Sequence, residues 1–309
     1  MKKILLITSV FIGSLSFSQI DANYSFFGQN RVDASPSYVG SHDGLEAVGL
    51  FRAQWVSFPG APLSQALAVH TRLENQKIGL GLNMNNTSMG PLRNTGIFGN
   101  FAYRMRVGYN SGFLSFGLRG GVYLRSNGLG DLSTVTTNDP EFAANVASQV
   151  LPNFGFGAHY ESRLFYIGVS APRLLINDVD DVGGVGGLSQ VNRLMYITAG
   201  SEFTLSRRKF MVLKPNLIVK MQKNVPFQFT LSAPVHFDDK AWAGLTWRGT
   251  EAIGFTAGLI LDSFSVGYAF DYSIQNQSFK YNGASHEIML RFQAFEKVET
   301  QADSDGSIE

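Results

Sequence analysis

Cysteine is absent from all 309 residues. This excludes a disulfide scaffold, a zinc ribbon, an iron–sulfur protein and a thiol nucleophile. Charge is scarce as well: 16% of residues are Asp, Glu, Lys or Arg, against about 25% in an average soluble domain. The formal net charge of +1 offers no basic footprint for nucleic acid. After the first residues, no stretch approaches the ~18 apolar residues of a membrane helix. If the chain enters a membrane, it does so as strands. The five histidines, His42, His70, His159, His236 and His286, form no H-x-x-x-H or H-E-x-x-H pair. No G-x-S-x-G motif comes with a matching His and Asp. The chain is therefore expected to be no enzyme and to need no metal or cofactor.

What is abundant is aromatic and small: 25 Phe, 11 Tyr and 33 Gly. Residues 1–18 (MKKILLITSVFIGSLSFS) place Lys2 and Lys3 before a short apolar core. Ser16 and Ser18 stand at the −3 and −1 positions of a cut before Gln19, the pattern of a secretory signal peptide. Its removal leaves 23 basic and 24 acidic residues.

From residue 45 onward, apolar side chains recur at every second position. Phe264, Val266, Tyr268, Phe270 and Tyr272 alternate with Ser265, Gly267, Ala269, Asp271 and Ser273. Leu114, Phe116 and Leu118 alternate with Ser115, Gly117 and Arg119. A period of two puts neighbours on opposite faces of a strand. The rule predicts about 14 strands, centred near 45–54, 64–73, 77–86, 94–106, 112–124, 152–160, 163–170, 193–205, 210–221, 226–235, 240–248, 251–261, 264–273 and 285–293. One face is crowded with Phe, Tyr, Leu and Ile. The other carries Gly, Ser, Thr and Asn with isolated charges, among them Arg104, Arg119, Glu202, Lys214, Arg248, Asp271 and Glu287. A secreted sandwich would carry more charge on shorter strands. Lipid outside and a polar lumen inside fit better, so the fold class expected is an all-β transmembrane antiparallel barrel in a Gram-negative outer membrane.

Connection lengths test that expectation separately. With 55–63 taken as exterior, the exterior set is 55–63, 87–93, 125–151, 171–192, 222–225, 249–250 and 274–284. The opposite set is 74–76, 107–111, 161–162, 206–209, 236–239 and 262–263, none longer than five residues. Short periplasmic turns with longer outer loops are the habit of such barrels. The domain reading is thus 1–18 signal peptide, 19–44 an extension that plugs the lumen or lines the periplasmic mouth, 45–293 barrel, and 294–309 a charged periplasmic tail. Luminal Arg and Lys are expected to pair with Glu202, Asp271 and Glu287 in a packed interior rather than to line an anion pore. In the 177–187 loop, Asn177-Asp178-Val179-Asp180-Asp181 precedes a run of glycines but lacks the spacing and closing Glu of a calcium loop; it reads as a solvated loop.

Several short motifs then appear in order. They are Ser35-Pro36-Ser37-Tyr38-Val39-Gly40-Ser41, Arg52-Ala53-Gln54-Trp55, Gly60-Ala61-Pro62, Leu151-Pro152-Asn153-Phe154-Gly155-Phe156-Gly157 and Phe165-Tyr166-Ile167-Gly168-Val169-Ser170-Ala171-Pro172-Arg173-Leu174-Leu175. Leu213-Lys214-Pro215, Trp242-Ala243-Gly244-Leu245-Thr246-Trp247-Arg248, Gly267-Tyr268-Ala269-Phe270-Asp271 and Ser285-His286-Glu287-Ile288 follow. Over nearly the whole chain after the signal, this ordered set resembles the PorP/SprF family of type IX secretion-associated outer-membrane proteins of Bacteroidetes. Two departures stand out: Ser35-Pro36-Ser37 where the family often has Asn-Pro-Ala, and Asn153 where it often has an acid.

The resemblance implies a non-enzymatic barrel. It would help to secrete, or hold at the surface, a dedicated large protein with a type IX C-terminal signal domain, gliding adhesins being one class of cargo. It also implies a periplasmic peptidoglycan-binding lipoprotein or secretion-machinery components as partners. Arg52, Gln54 and Trp55 with Phe58, Pro59, Gly60, Ala61 and Pro62 surround the first exterior turn and are the candidate partner-binding residues. Trp55, Phe58 and Pro59 would give a rigid apolar anchor of the kind that dominates interfaces, although Trp55 would equally suit a membrane-interface belt. Loops 125–151 and 171–192 are further candidates by length. The competing reading is a diffusion channel or small-solute transporter.

Overall fold

The structure is a computed structural model. It describes residues 22–73, 77–108, 112–128, 146–175, 193–208, 210–223, 225–274 and 283–294. The expected signal peptide, the expected charged tail after 294 and the 177–187 loop lie outside the described residues.

Sixteen strand segments make one sheet. They are β1 (Leu45–Ala53), β2 (Leu63–Arg72), β3 (Ile78–Met89), β4 (Leu92–Val107), β5 (Gly112–Asn127), β6 (Val146–Glu161), β7 (Phe165–Arg173) and β8 (Leu194–Ser201). Then come β9 (Phe203–Ser206), β10 (Met211–Leu213), β11 (Asn216–Gln222), β12 (Val225–Phe237), β13 (Ala241–Arg248), β14 (Ala252–Leu261), β15 (Phe264–Ser273) and β16 (Ser285–Ala294). β8 with β9 makes one crossing, interrupted at Glu202, and β10 with β11 makes another, interrupted at Lys214-Pro215. The result is a closed antiparallel barrel of 14 crossings. The seam is β1 against β16, registered from Leu45↔Ala294 to Ala53↔His286. Closure leaves no sheet edge, which a lipid environment demands.

The double interruption has a local cause. Pro215 has no N–H to give the ladder. Its carbonyl instead accepts from the Ser201 N–H at 3.1 Å, and Lys214 Nζ meets Glu202 Oε1 at 3.0 Å across the two gaps.

The two ends differ as expected. The connections at one end, 73–77, 108–111, 162–164, 207–210, 238–240 and 262–263, have five residues at most. The longest ones, 54–62, 128–145, 174–193 and 274–284, all lie at the other. The asymmetry makes the latter end extracellular. One expected loop contracts: β3 and β4 continue through most of 87–93 and turn at Gly90-Pro91.

The outward face carries Leu82, Phe101, Leu118, Phe154, Leu245, Phe255, Leu259, Leu290 and many like them, all exposed. A continuous apolar surface of this kind is membrane-facing. Among the described residues no helix is long and apolar enough to span a membrane. The inward face is not an empty pore. Residues 22–44 run through the lumen, with a single helical turn α1 (Arg31–Ala34) and a 3-10 turn (Pro36–Tyr38). Two apolar clusters lock them to the wall. Tyr24 and Phe26 pack with Val48, Leu50, Trp242 and Met289. Val32, Tyr38 and Val39 pack with Ala68 and Ala102. Burying Phe26 alone contributes about 1.5–3 kcal/mol. The hydrophobic core of this protein is therefore inside its barrel.

Candidate functional site

The luminal segment is held by charge at its outer end. Arg52 near the end of β1, Arg248 at the end of β13, Asp271 in β15 and Glu287 in β16 converge there, and each is at least 95% buried. Arg52 Nη2 lies 2.7 Å from Asp271 Oδ2, and its Nη1 lies 3.0 Å from Glu287 Oε2. Arg248 Nη1 reaches Asp271 Oδ2 at 3.2 Å. Two positive and two negative groups thus balance, as buried charges must. Glu287 then accepts from the backbone N–H of Ser25 at 2.7 Å and of Phe26 at 3.0 Å. The Ser25 hydroxyl donates to Asp271 and accepts from Arg52 at 3.2 Å and Arg248 at 3.1 Å. The quartet therefore clasps the plug by its backbone as well as its side chains.

Further in, arginines from the wall donate to plug carbonyls. Arg119 bonds the carbonyls of Val32 and Asp33, and Arg104 bonds that of Gly40 at 2.9 Å. Arg72 reaches the carbonyls of Gly40 and Ser41, both at 2.8 Å, and pairs with Asp43. His159 accepts or donates at Ser37 Oγ, 3.1 Å away, and stacks on Tyr38 with ring centroids 4.1 Å apart. His70 Nδ1 accepts from the Gly40 N–H at 3.3 Å. Burial pushes the Tyr38 hydroxyl above its ordinary range, so it stays protonated. Wall glycines make room for the close approach. A Cβ on Gly117 would lie 2.2 Å from the Ser37 nitrogen, and one on Gly79 would lie 2.1 Å from the Val39 carbonyl oxygen.

At the periplasmic end Glu46 gathers four partners: His42 at 3.3 Å, His70 at 3.6 Å, and Arg291 and Gln293 at 2.8 Å. Lumen charge is thus matched by opposite charge at the clasp and at Glu46, while Arg104 and Arg119 direct theirs to plug carbonyls. Among the described residues no group of three His, Asp or Glu could hold a metal ion. His286 and Glu287 face opposite ways as their adjacency requires: Glu287 is in the lumen, while His286 bonds the Tyr268 hydroxyl at 2.7 Å.

The first outer connection, 54–62, is a tied-down rim. The Gln54 N–H bonds the Pro62 carbonyl at 3.0 Å, Phe58 N–H the Trp55 carbonyl at 2.8 Å and Ala61 N–H the Phe58 carbonyl at 3.1 Å. Neighbours on both sides brace it: Val56 N–H to the Ala284 carbonyl at 3.1 Å, Trp55 N–H to Ser285 Oγ at 3.3 Å, and Gly90 N–H to the Gly60 carbonyl at 2.8 Å. Trp55 has φ 47° and Gly60 φ 75°. Val56 and Phe58 are each 54% exposed, Pro59 and Gly60 are exposed, and Gln54, Trp55, Ala61 and Pro62 are half-buried. Arg52 stands apart from this group. Its position in β1 turns it into the lumen, where it holds the plug and cannot touch an external partner. Val56, absent from the sequence candidates, joins the exposed rim.

The departure at Asn153 is also explained. Its side chain is fully buried and anchors the foot of the 174–193 loop. Oδ1 accepts from the Leu174 and Leu175 N–H groups at 3.0 and 3.3 Å, and Nδ2 donates to the Leu175 carbonyl at 3.1 Å. A carboxylate could make the first two bonds but not the third.

Comparison with solved structures finds outer-membrane barrels. The outer membrane protein Omp33 of Acinetobacter baumannii aligns with a TM-score of 0.47 and 7% identity, over 82% of this chain and 98% of that one. The CymD monoaromatic hydrocarbon channel gives 0.46 and 12%, over 90% and 95%. A mutant Rh. blastica porin gives 0.34 and 12%, over 81% and 99%. No curated protein matches. The family described as "Type IX secretion system membrane protein PorP/SprF" matches residues 16–292. With a barrel fold, an apolar girdle and a match that spans nearly the whole sequence, the chain belongs to the PorP/SprF family of type IX secretion system membrane proteins and is integral to the outer membrane.

Proposed function

We propose that this barrel is a non-enzymatic docking element of type IX secretion. It helps to export a large surface protein, or holds it by its C-terminal signal domain, and it meets that cargo at its outer rim rather than through its lumen. The observation that carries the reading is the filled lumen. Residues 22–41 occupy the space a solute would need, and each luminal charge of the quartet is matched to another or to the plug. Such an interior supports a partner-binding role over a diffusion channel. The rim supplies a surface of the right kind. A partner gains most from rigid apolar anchors, because little conformational freedom is lost on binding. Val56 and Phe58 stand exposed on a loop braced from both sides. A periplasmic peptidoglycan-binding lipoprotein would engage the opposite mouth.

The test combines two measurements. Purified protein in planar bilayers should show no steady conductance; an open, stable current would favour the channel. In cells, Val56→Asp with Phe58→Asp should leave a heat-modifiable barrel but release the cargo from the surface. Undiminished cargo display in that variant would remove the rim from the mechanism.

A further inference from the structure

The inner mouth of the barrel holds a polar cavity of about 190 Å³. The plug supplies Arg31 to it, the 162–164 turn supplies Arg163, and the two strand breaks supply Glu202 and Lys214. With its histidines neutral, the lining carries four cations and two carboxylates, an excess of two positive charges. Two of the cations are already engaged: Lys214 Nζ with Glu202 at 3.0 Å, and Arg291 with Glu46 at 2.8 Å. Arg31 and Arg163 are left with Glu161. The Glu161 Oε1 stands 3.6 Å from Arg31 Nη1, too far for a hydrogen bond. That buried nitrogen has no hydrogen-bond acceptor among the described residues. Arg163 is exposed and has no ion-pair partner among the described residues. A buried donor without an acceptor lowers stability, and a carboxylate entering the cavity would remove that penalty.

Arg31 is also held in place. Its guanidinium lies over the Tyr38 and Tyr166 rings, 4.9 and 4.5 Å from their centroids, in cation–π contact with both. A planar fork fixed in this way matches a carboxylate.

A strand edge opens beside the cavity. β8 pairs with β7 as far as Ser201↔Phe165. The Glu202 N–H then bonds the Leu164 carbonyl at 2.9 Å, and β9 runs on past this point. Phe203 and Thr204 pair with Leu213 and Val212 of β10. On their other side no strand lies among the described residues. Phe203, Thr204 and Leu205 are all exposed. Arg207 and Arg208 follow at the hairpin tip, also exposed. Closure pairs the strands through the body of the wall; this edge is the periplasmic tip of a crossing, beyond the turn between β6 and β7.

Together the two features select one kind of ligand. An open edge is a template for an extended polypeptide, whose backbone pairs with it. Successive side chains of an added strand point to opposite faces. Those on the inner face would enter the cavity, and those on the outer face would meet Phe203 and Leu205. A free phosphate could use the guanidinium but not the edge. The excess of positive charge calls for acids on the inner face.

We propose that the inner mouth binds an extended, acidic segment of a periplasmic protein, which lies beside β9 as an added strand and sets a carboxylate against Arg31 and Arg163. This deepens the periplasmic half of the functional reading and rests on it for the existence of such a partner. It does not depend on the outer rim.

The test uses the full-length mature barrel in detergent micelles and a fluorescein-labelled peptide of four Val-Glu repeats, with four Val-Gln repeats as the control. Fluorescence anisotropy reads binding, and hydrogen exchange followed by mass spectrometry reads the edge. The Val-Glu peptide should bind at least ten-fold tighter than the control and slow exchange across 202–206 at least five-fold. Arg163→Glu, in an exposed turn with no ion pair to lose, should weaken binding at least ten-fold. Arg31→Gln should do the same in a barrel that still shifts on heating. Equal binding of the two peptides, or undiminished binding by Arg163→Glu, would overturn the carboxylate site. Binding with unchanged exchange across 202–206 would overturn the added strand. Displacement of the peptide by an equimolar amount of inorganic phosphate, or of a soluble muropeptide, would overturn the choice of a polypeptide. The peptide assay contains no cargo, so its failure leaves the rim contact standing, and loss of the rim contact leaves this site standing.

Discussion

Glu287→Ala should unplug the outer half of the barrel. The carboxylate serves three partners at once: Arg52, and the N–H groups of Ser25 and Phe26. Removing it breaks a buried ion pair, at about 3–5 kcal/mol. It also leaves two buried amides without an acceptor, at about 1–3 kcal/mol each. The low ends alone amount to about 5 kcal/mol. At about 1.4 kcal/mol per decade, the ratio of seated to unseated plug falls by between three and four powers of ten. The remaining three groups also carry an excess positive charge, since Arg52 and Arg248 then share Asp271 alone. The root of the plug stays pinned by Arg72 and Arg104, so the expected state is a barrel with its outer luminal segment loose. The assay exploits the cysteine-free sequence. Ala34→Cys puts one thiol in α1, at a site only 7% exposed. In the parent barrel the thiol should resist an external maleimide and bilayers should stay silent. With Glu287→Ala added, the thiol should react and current bursts should appear. A Glu287→Ala protein that inserts, shifts on heating, stays silent and still protects the thiol would refute the clasp.

Three other perturbations separate lumen, loops and mouth. Gly117→Val should block assembly, because its Cβ would strike the Ser37 backbone, while Gly120→Val, three residues away on the lipid side, should fold normally; heat-modifiability on gels distinguishes them. Replacing 128–145 by a short turn should leave an insertable barrel yet weaken cargo retention, read as cargo shed into the medium. Partial burial holds the His42 imidazole down at about 4, with Arg31 and Arg291 adding to the effect and Glu46 opposing it. The unfolded chain takes up that proton first, near 6.5, so stability should decline as pH falls from about 6.5 to about 4; His42→Gln should flatten this part of the pH profile of thermal stability.

Alternation disclosed the crossings because each wall residue has lipid on one side and the lumen on the other. It failed where that contrast ends. At Thr87, Ser88 and Arg93 the ladder of β3 and β4 runs on, but polar residues stand on both faces, so the sequence reads as loop. β1 misleads in the opposite way. Its inward residues include apolar Val48 and Leu50, because they meet Tyr24 and Phe26 rather than water. Counting by twos from Glu46 puts Arg52 inside, yet its neighbours Gln54 and Trp55 suggested a surface contact. The plug has no periodic signature, since irregular backbone is fixed by contacts distant in sequence. Its trace lies in the wall: Gly79, Gly117 and Gly157 all face the lumen and all abut residues 35–39. The rim was legible from its turn residues, but its bracing by Gly90, Ala284 and Ser285 was not, because those contacts span the seam and a neighbouring hairpin.

The seam gives the plug a history as well as a place. A ribosome produces residues 22–41 first, while Glu287, which grips Ser25 and Phe26, arrives with the final strand. That same strand joins β1 and shuts the cylinder. Closure of the cylinder and the outer clasp on its stopper thus come from one strand, the last. A chain cut short before Ser285 lacks its last stave and the grip on its cork, so an incomplete copy cannot become a sealed vessel.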